Sequence, residues 1–399
     1  MPLYSAIKDI IPSLDYSTPH ASFVLPFDTT IMEKSSEVAE KYSEYKNIAL
    51  IGIGGSNLWT IAIHEALGKT AEKHIEFFDT VDSEATERWI SMFEEKLKKW
   101  ERCVIIVISK SGTTTETLAL ADILYKRLFL RFREYISIVT LSDPHSKLDT
   151  LAQTEWWERL HIPPMVGGRY SVLSSVGIFP LELLGYDTNE LIRWAREIIE
   201  LYLQNPTDSP INERARLLYN SFAAGRNIHE HWFFSKKLES LGKWYRQLLA
   251  ESIGKVQADW TSVGITPSTA IGTTDLHSIA QLNLAHTGDK VISIVWLKGQ
   301  ESTLLKVSNS PFTSILPNIV WKEHTTIMQA ALLWFEKAVW EKNIPHTVEY
   351  LEDNRAYDIG RWMASRMLEV ALLGEMFWVN PFDQPNVEDY KIHMKKALG

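Results

Sequence analysis

The segment Ser109-Lys110-Ser111-Gly112-Thr113-Thr114-Thr115 sets five hydroxyl groups around one ammonium group. One cation with several short donors suits a phosphate monoester, best at a helix start where backbone N–H groups are free. Gly54-Gly55-Ser56 offers a second such turn. Its glycines let backbone amides approach a ligand without side-chain obstruction, and Ser56 adds a hydroxyl. Neither turn matches a nucleotide-binding pattern. The glycine turn lacks the third glycine of the dinucleotide fingerprint, and the hydroxyl-rich loop lacks the Gly-Lys-Ser/Thr of a P-loop. A small sugar phosphate fits better, although helix capping alone would also account for serine and threonine there.

Groups for proton transfer lie elsewhere. Gln247 and Glu251 are four residues apart and share one helix face, with Gly254 just beyond as a C-cap. A carboxylate near a helix C-terminus sits in an unfavourable dipole, which suits a general base working near neutral pH. From spacing alone, a solvent-facing glutamate is the commoner reading. His277 follows Thr274 and Asp275, either of which can cap a helix, so it is expected in a first helical turn. An interface histidine is equally consistent. Gly167-Gly168-Arg169 allows a tight backbone that aims a guanidinium into a cleft, where it would meet phosphate or a developing oxyanion. An exposed loop arginine reads the same way. His229 and His231 invite a metal reading, but on the expected helix they face different directions, and no third ligand stands at a recognisable spacing.

The elements that must hold these groups alternate. Ile48–Ile53 and Cys103–Ile108 read as buried parallel strands, with further strands at His74–Asp79 and Tyr135–Leu141. Helices are expected at Asn57–Leu67, Ala85–Lys99, about Thr117–Arg133, with Thr113 and Glu116 as a capping box, and Ser146–Gln153. Both phosphate-type turns then fall at the carboxyl ends of strands, where open α/β sheets bind ligands. Asn205–Pro210 reads as a linker. Beyond it come helices at Asn212–Trp232 and Leu238–Ser252, and strands at Asp259–Ile265, Val291–Trp296 and His346–Leu351. The expected fold class is therefore α/β, with doubly wound parallel sheets.

Composition narrows the partners. The 399 residues carry 41 basic and 50 acidic side chains, a net charge of -9, which argues against nucleic acid. A single cysteine, Cys103, permits no internal disulfide and no cysteine-rich zinc site. Met1–Ile10 does not resemble a signal peptide, and no apolar run is long enough for a membrane helix, so a cytoplasmic protein is expected.

Five segments, in order, closely resemble the phosphoglucose (glucose-6-phosphate) isomerase family: Ile51–Ser56, Ile108–Glu116, Val166–Ser171, Glu251–Lys255 and Phe382–Lys391. The resemblance implies two flavodoxin-like α-β-α sandwiches of the sugar-isomerase (SIS) type with parallel sheets, plus a C-terminal helical segment. The linker and the alternation of elements divide the chain into a lead-in (1–45), a first domain (46–205), a second (211–375) and a C-terminal segment (376–399). The resemblance further implies reversible conversion of D-glucose 6-phosphate to D-fructose 6-phosphate through a cis-enediolate, in glycolysis and gluconeogenesis, with no cofactor and no metal. Gly55, Ser56, Ser109, Lys110, Ser111 and Thr114 match phosphate-binding positions, and Gln247 and Gln384 match substrate-lining ones. Glu251 matches the base, and Arg169 the cation on the enediolate. His277 and Lys391 match the ring-opening pair, His277 coming from the partner subunit of a homodimer. Pro385, Asn386 and Ile253 depart from the family pattern. A sugar-phosphate sensor would need a basic DNA-binding segment, and an amidotransferase an N-terminal cysteine. Neither is present. Tolerance of mannose 6-phosphate stays open.

Overall fold

The computed structural model describes residues 2–68, 72–285, 287–298, 305–352 and 356–399. It consists of two compact units, Met1–Gln204 and Asn205–Gly399.

The first unit runs α1 (Leu3–Ile10), α2 (Thr29–Lys41), β1 (Asn47–Ile51), α3 (Leu58–Leu67), β2 (His74–Phe78), α4 (Ser83–Leu97), β3 (Cys103–Ile108), α5 (Thr115–Leu124), β4 (Ile136–Ser142), α6 (Lys147–Thr154), β5 (Glu158–His161), α7 (Ser175–Leu183) and α8 (Thr188–Gln204). Its five strands are all parallel, in the order β2-β1-β3-β4-β5. The near-continuous apolar runs of β1 and β3 are buried at every position, as a parallel sheet covered on both faces requires. Ala49, Ile51, Phe78, Phe93, Ile105, Val107 and Leu120 belong to one core. Cys103 begins β3 inside it, and burial pushes its thiol up out of the reactive range. Asp82 and Ser146 cap α4 and α6 with their side chains. The helix expected to run to Arg133 opens into a wider turn at Tyr125–Phe129. Sequence patterning passes over β5, a short edge strand rich in charge, and α7, which is apolar on nearly every face.

The second unit runs α9 (Pro210–Ala223), β6 (Ile228–Phe233), α10 (Glu239–Ile253), β7 (Lys255–Val256), β8 (Ser262–Val263), β9 (Thr266–Ile271), α11 (Ala280–Leu284), β10 (Lys290–Leu297), α12 (His324–Glu341), β11 (His346–Leu351), α13 (Ala356–Met376) and α14 (Glu388–Leu398). Its main sheet is parallel, in the order β11-β10-β6-β9, and β7 and β8 form a small antiparallel hairpin. The two units share a logic: in each, the first strand pairs on both sides and the chain reverses its winding there. Ser209 caps α9 and Pro210 takes its first position, so the end of the expected linker is already helix.

Two expectations fail here. The helix expected over Asn212–Trp232 ends at Ala223, and Gly225, at φ +84°, turns the chain into β6. The strand expected at Asp259–Ile265 is mostly the tip of the β7–β8 hairpin, and the sheet strand is β9. Its Thr-Pro-Ser-Thr start lacks an apolar run, and its edge position tolerates Pro267.

Candidate functional site

In the first unit, β1 and β3 are neighbours at the point where strand order reverses, and this order places a ligand crevice at their carboxyl ends. Gly54–Ser56 follows β1 as a single turn. A Cβ on Gly55 would lie 2.3 Å from the carbonyl carbon of Gly168, so only glycine permits the contact between the two turns. Trp59 donates its indole N–H to the Gly55 carbonyl (2.6 Å), and Ser171 donates its hydroxyl to the Gly168 carbonyl (2.7 Å). Arg169 is thereby carried on the turn Gly168–Tyr170, packed directly on Gly54–Ser56. Arg169 is 1% exposed, far from the exposed loop arginine that the sequence also permits.

The loop after β3 folds on its own hydroxyls. Ser109 Oγ is 2.9 Å from Thr114 Oγ1, and Ser111 Oγ is 3.1 Å from Thr113 Oγ1. Thr114, not Thr113, is the N-cap of α5, and its side chain makes no capping bond, so the expected Thr113–Glu116 capping box does not form. The hydroxyls are turned to their loop partners instead. Gly112, at φ +65°, lies where a Cβ would strike the Ser146 hydroxyl at 2.7 Å. Lys110 donates to the Pro164 carbonyl (2.6 Å). Burial lowers its ammonium pKa, and the Asp143 carboxylate counters only part of that. Asp143, raised in turn by burial, stands just past β4 with a buried Oδ1 that lacks a hydrogen-bond partner. The sequence reading passed over Asp143. Its one signal is an acid at the carboxyl end of the strand next to β3.

In the second unit, Gln247 and Glu251 do share a face of α10, and Gln247 donates its amide to Glu251 Oε1 (3.0 Å). A pocket of about 220 Å³ opens beside them, lined by Glu251, Gly254, Lys255, Gln384 and Asn386 among others. Lys255 holds the C-terminal segment there. Its Nζ lies 2.8 Å from the Asn380 carbonyl, the Asp383 carbonyl and the Asp383 carboxylate. Two of the three departures from the family pattern, Pro385 and Asn386, thus line this pocket, where Asn386 donates its amide to the Gly254 carbonyl (3.3 Å). Gly254 closes α10 at φ −73° and not in the left-handed form. What excludes a side chain is space, since a Cβ would lie 2.7 Å from the Ala250 carbonyl oxygen.

Glu251 therefore meets Gln247 through a hydrogen bond and shares the pocket lining with Gln384. Lys391 stands near the start of α14, outside the pocket lining. His277 is also outside it, exposed on the short turn Thr274–His277. It is not in a first α-helical turn as expected, because α11 begins only at Ala280. Asp275 instead spends its carboxylate on Ile271 N–H and the Ser278 hydroxyl, which tightens the turn ahead of the helix.

His229 and His231 correct another expectation. They lie on β6, where a spacing of two puts both on one face, with ring centres 4.4 Å apart. Both are buried and both pKa values are lowered, His229 to about 4, chiefly because burial penalises the charged ring. Among the described residues, no three His, Cys, Asp or Glu side chains are placed to hold a metal ion. No described helix is long and apolar enough to cross a membrane.

A family model described as phosphoglucose isomerase matches residues 30–397. A glucose-6-phosphate isomerase of Thermus thermophilus is 30% identical over 391 residues, covering 94% of this chain and 89% of its own length. That of Campylobacter jejuni is 28% identical, covering 98% and 94%. Among solved structures, a hypothetical protein of Thermus thermophilus superposes with a TM-score of 0.88 at 27% identity, over 99% of this chain and 95% of its own. A glucose-6-phosphate isomerase from Chlamydia trachomatis gives 0.81 at 20% identity, over 100% and 78%, a likeness of fold.

Proposed function

Because the chain belongs to the phosphoglucose isomerase family, we propose that it interconverts D-glucose 6-phosphate and D-fructose 6-phosphate. The observation that carries this reading is the Gln247–Glu251 pair, with Gln384 lining the same pocket. Aldose–ketose conversion needs one carboxylate that can reach two adjacent carbons, and an amide beside it that fixes its orientation.

The steps balance without a cofactor. Ring opening protonates O5 while the proton on O1 is removed, the work assigned to Lys391 and His277. Glu251 then takes the proton from C2, and the electron pair moves to make an enediolate. Arg169 stabilises the oxyanion as a fixed buried cation. A proton passes from O2 to O1 of the enediolate, Glu251 returns its own proton to C1 as the C2 carbonyl forms, and fructose 6-phosphate results. The reverse sequence gives glucose 6-phosphate. Ser56, Ser109, Lys110, Ser111, Thr114 and the Gly55 backbone take the phosphate. His277 serves the active site of the second copy in a homodimer, a role to which its exposed turn is suited. A cytoplasmic place in glycolysis and gluconeogenesis accompanies this reading.

The test supplies fructose 6-phosphate with EDTA present and follows glucose 6-phosphate through its dehydrogenase, with Glu251→Gln alongside. Turnover that ignores the chelator and is lost in Glu251→Gln, by ~100-fold or more, supports the reading. Near-normal turnover in the variant removes Glu251 as the base. No turnover by the unaltered chain, with fructose 6-phosphate still raising its melting temperature, would make the protein a sugar-phosphate sensor.

A further inference from the structure

A second set of polar groups stands behind α10, away from the pocket. Tyr245 OH donates to Glu369 Oε1 on α13 (3.1 Å) and meets His229 Nδ1 on β6 (3.0 Å). His229 Nε2 meets Ser293 Oγ on β10 (2.8 Å), which meets Thr347 Oγ1 on β11 (2.9 Å). One assignment satisfies the whole chain. Thr347 donates to Ser293, Ser293 to His229 Nε2, His229 Nδ1–H to Tyr245, and Tyr245 to Glu369. Burial alone would raise Glu369, but Arg366 and Arg214 outweigh it and hold the carboxyl lowered. Arg214 Nε lies 2.8 Å and Arg366 Nη1 2.7 Å from its Oε2, and Arg366 also reaches Glu349 (2.8 Å).

We propose that Tyr245 and Glu369 are positioning residues for Glu251: they bolt α10 to α13 and to the sheet, and so fix the rotation of the helix that presents the base. This rests on the reading of Glu251 given above. A purely apolar contact would let α10 turn or slide, whereas directional hydrogen bonds do not. The experiment measures kcat, KM and melting temperature for Tyr245→Phe and Ser293→Ala, with Glu251→Gln as reference. Expected is a ~10–100-fold fall in kcat for Tyr245→Phe, a KM changed less than threefold, and a smaller fall in kcat for Ser293→Ala. Should Tyr245→Phe not fold, Ser293→Ala alone decides by the same split. Normal kcat with a lowered melting temperature overturns the proposal and leaves the network structural. An active Glu251→Gln would instead overturn the base assignment.

A second inference comes from the backbone. Of the fifteen tryptophans, Trp100, Trp156, Trp260, Trp321 and Trp378 have φ between +54° and +70°. All five are exposed, from 68% to 93%. Trp100, Trp156 and Trp378 each occupy the left-handed position just past a helix end. The pairs Glu101 N–H to Lys96 O, Trp157 N–H to Ala152 O and Val379 N–H to Gly374 O complete the capping motif usually built on glycine. The chain makes the same motif with Gly185 and Gly225, with Asn343, and once with Leu14. Trp260 takes the glycine position of a bulged hairpin turn, its N–H bonded to Gln257 O. Trp321 follows Val320 (φ −57°, ψ 133°) in a turn closed by Lys322 N–H to Ile319 O, the type II turn that asks for glycine at its third residue.

From these geometries we infer that glycine occupies these five positions in the protein as its own cell makes it, through a codon read as tryptophan in some genetic codes and as glycine in others. Peptide mass spectrometry of the protein purified from its native host decides. Expected is glycine at all five sites, with indole kept at the buried Trp59, Trp232 and Trp244. Indole at the five sites overturns the inference. A lower melting temperature in the fivefold Trp→Gly variant than in the tryptophan form would also count against it.

Discussion

Lys110 is subject to opposed demands. Burial lowers its pKa, with Asp143 compensating only in part, while a bound phosphate dianion would raise it again. The unfolded chain therefore holds this proton more tightly than the fold does, so Lys110's contribution to stability improves as pH rises through its lowered pKa toward the ordinary lysine range. Binding runs the other way. Substrate affinity should weaken on the alkaline side as Lys110 loses its proton, and KM measured against pH should lose that limb in Lys110→Ala. The same variant should raise KM by ~10–100-fold, the worth of a charge-assisted contact, with a smaller change in kcat. An unchanged KM would remove Lys110 from the phosphate cradle. His229 gives a signed acid limb. Its folded pKa is about 4 against a usual 6.5, so the unfolded state gains the proton first, and stability falls as pH drops from 6.5 toward 4. The loss is about 3 kcal/mol at most. Melting curves over that range should be steeper for the native chain than for His229→Gln. Little of this was legible beforehand. The hydroxyls and Lys110 announce themselves by type and crowding. Asp143 and Asn386 act only through what the fold brings near them, and Arg169 and Lys391 gained meaning from family likeness.

At the scale of elements, the legible strands were those whose apolar runs match complete burial, β1 and β3 above all. β6 was hidden because its buried face carries histidines: the ring nitrogens of His229 are matched inside the fold by Tyr245 and Ser293, while those of His231 are buried without a hydrogen-bond partner. A pattern rule that treats histidine as polar reads such a strand as something else. The Gly55–Gly168 contact carries a prediction of its own. Gly55→Ala should force the Gly54–Ser56 and Gly168–Tyr170 turns apart, because the nearest atom is backbone and cannot rotate away. A cost of ~2–3 kcal/mol in melting experiments is expected. A neutral Gly55→Ala would show that the turns do not need this contact. Trp156→Gly should act in the opposite direction, stabilising by about 1 kcal/mol through relief of the left-handed backbone.

At the scale of the molecule, the α/β class with parallel sheets was readable from strand–turn–helix alternation, whereas the winding of the second sheet was not, because β6 and β9 lack apolar runs. The dimer is a proposal, and it can be tested without a crystal. If His277 serves the partner's active site, Glu251→Gln and His277→Ala are each inactive alone, yet a mixed dimer holds one intact site. Random reassembly of equal amounts should restore about a quarter of native activity, because half the dimers are mixed and each has one working site of two. No recovery from verified mixed dimers would place His277 in its own subunit's site. The burial of Cys103, finally, makes the whole chain a blank background for thiol chemistry. A maleimide dye or spin label would find no reactive sulfur on the native surface, so one cysteine introduced at the exposed Asp208, just past the boundary between the two units, would take the label alone.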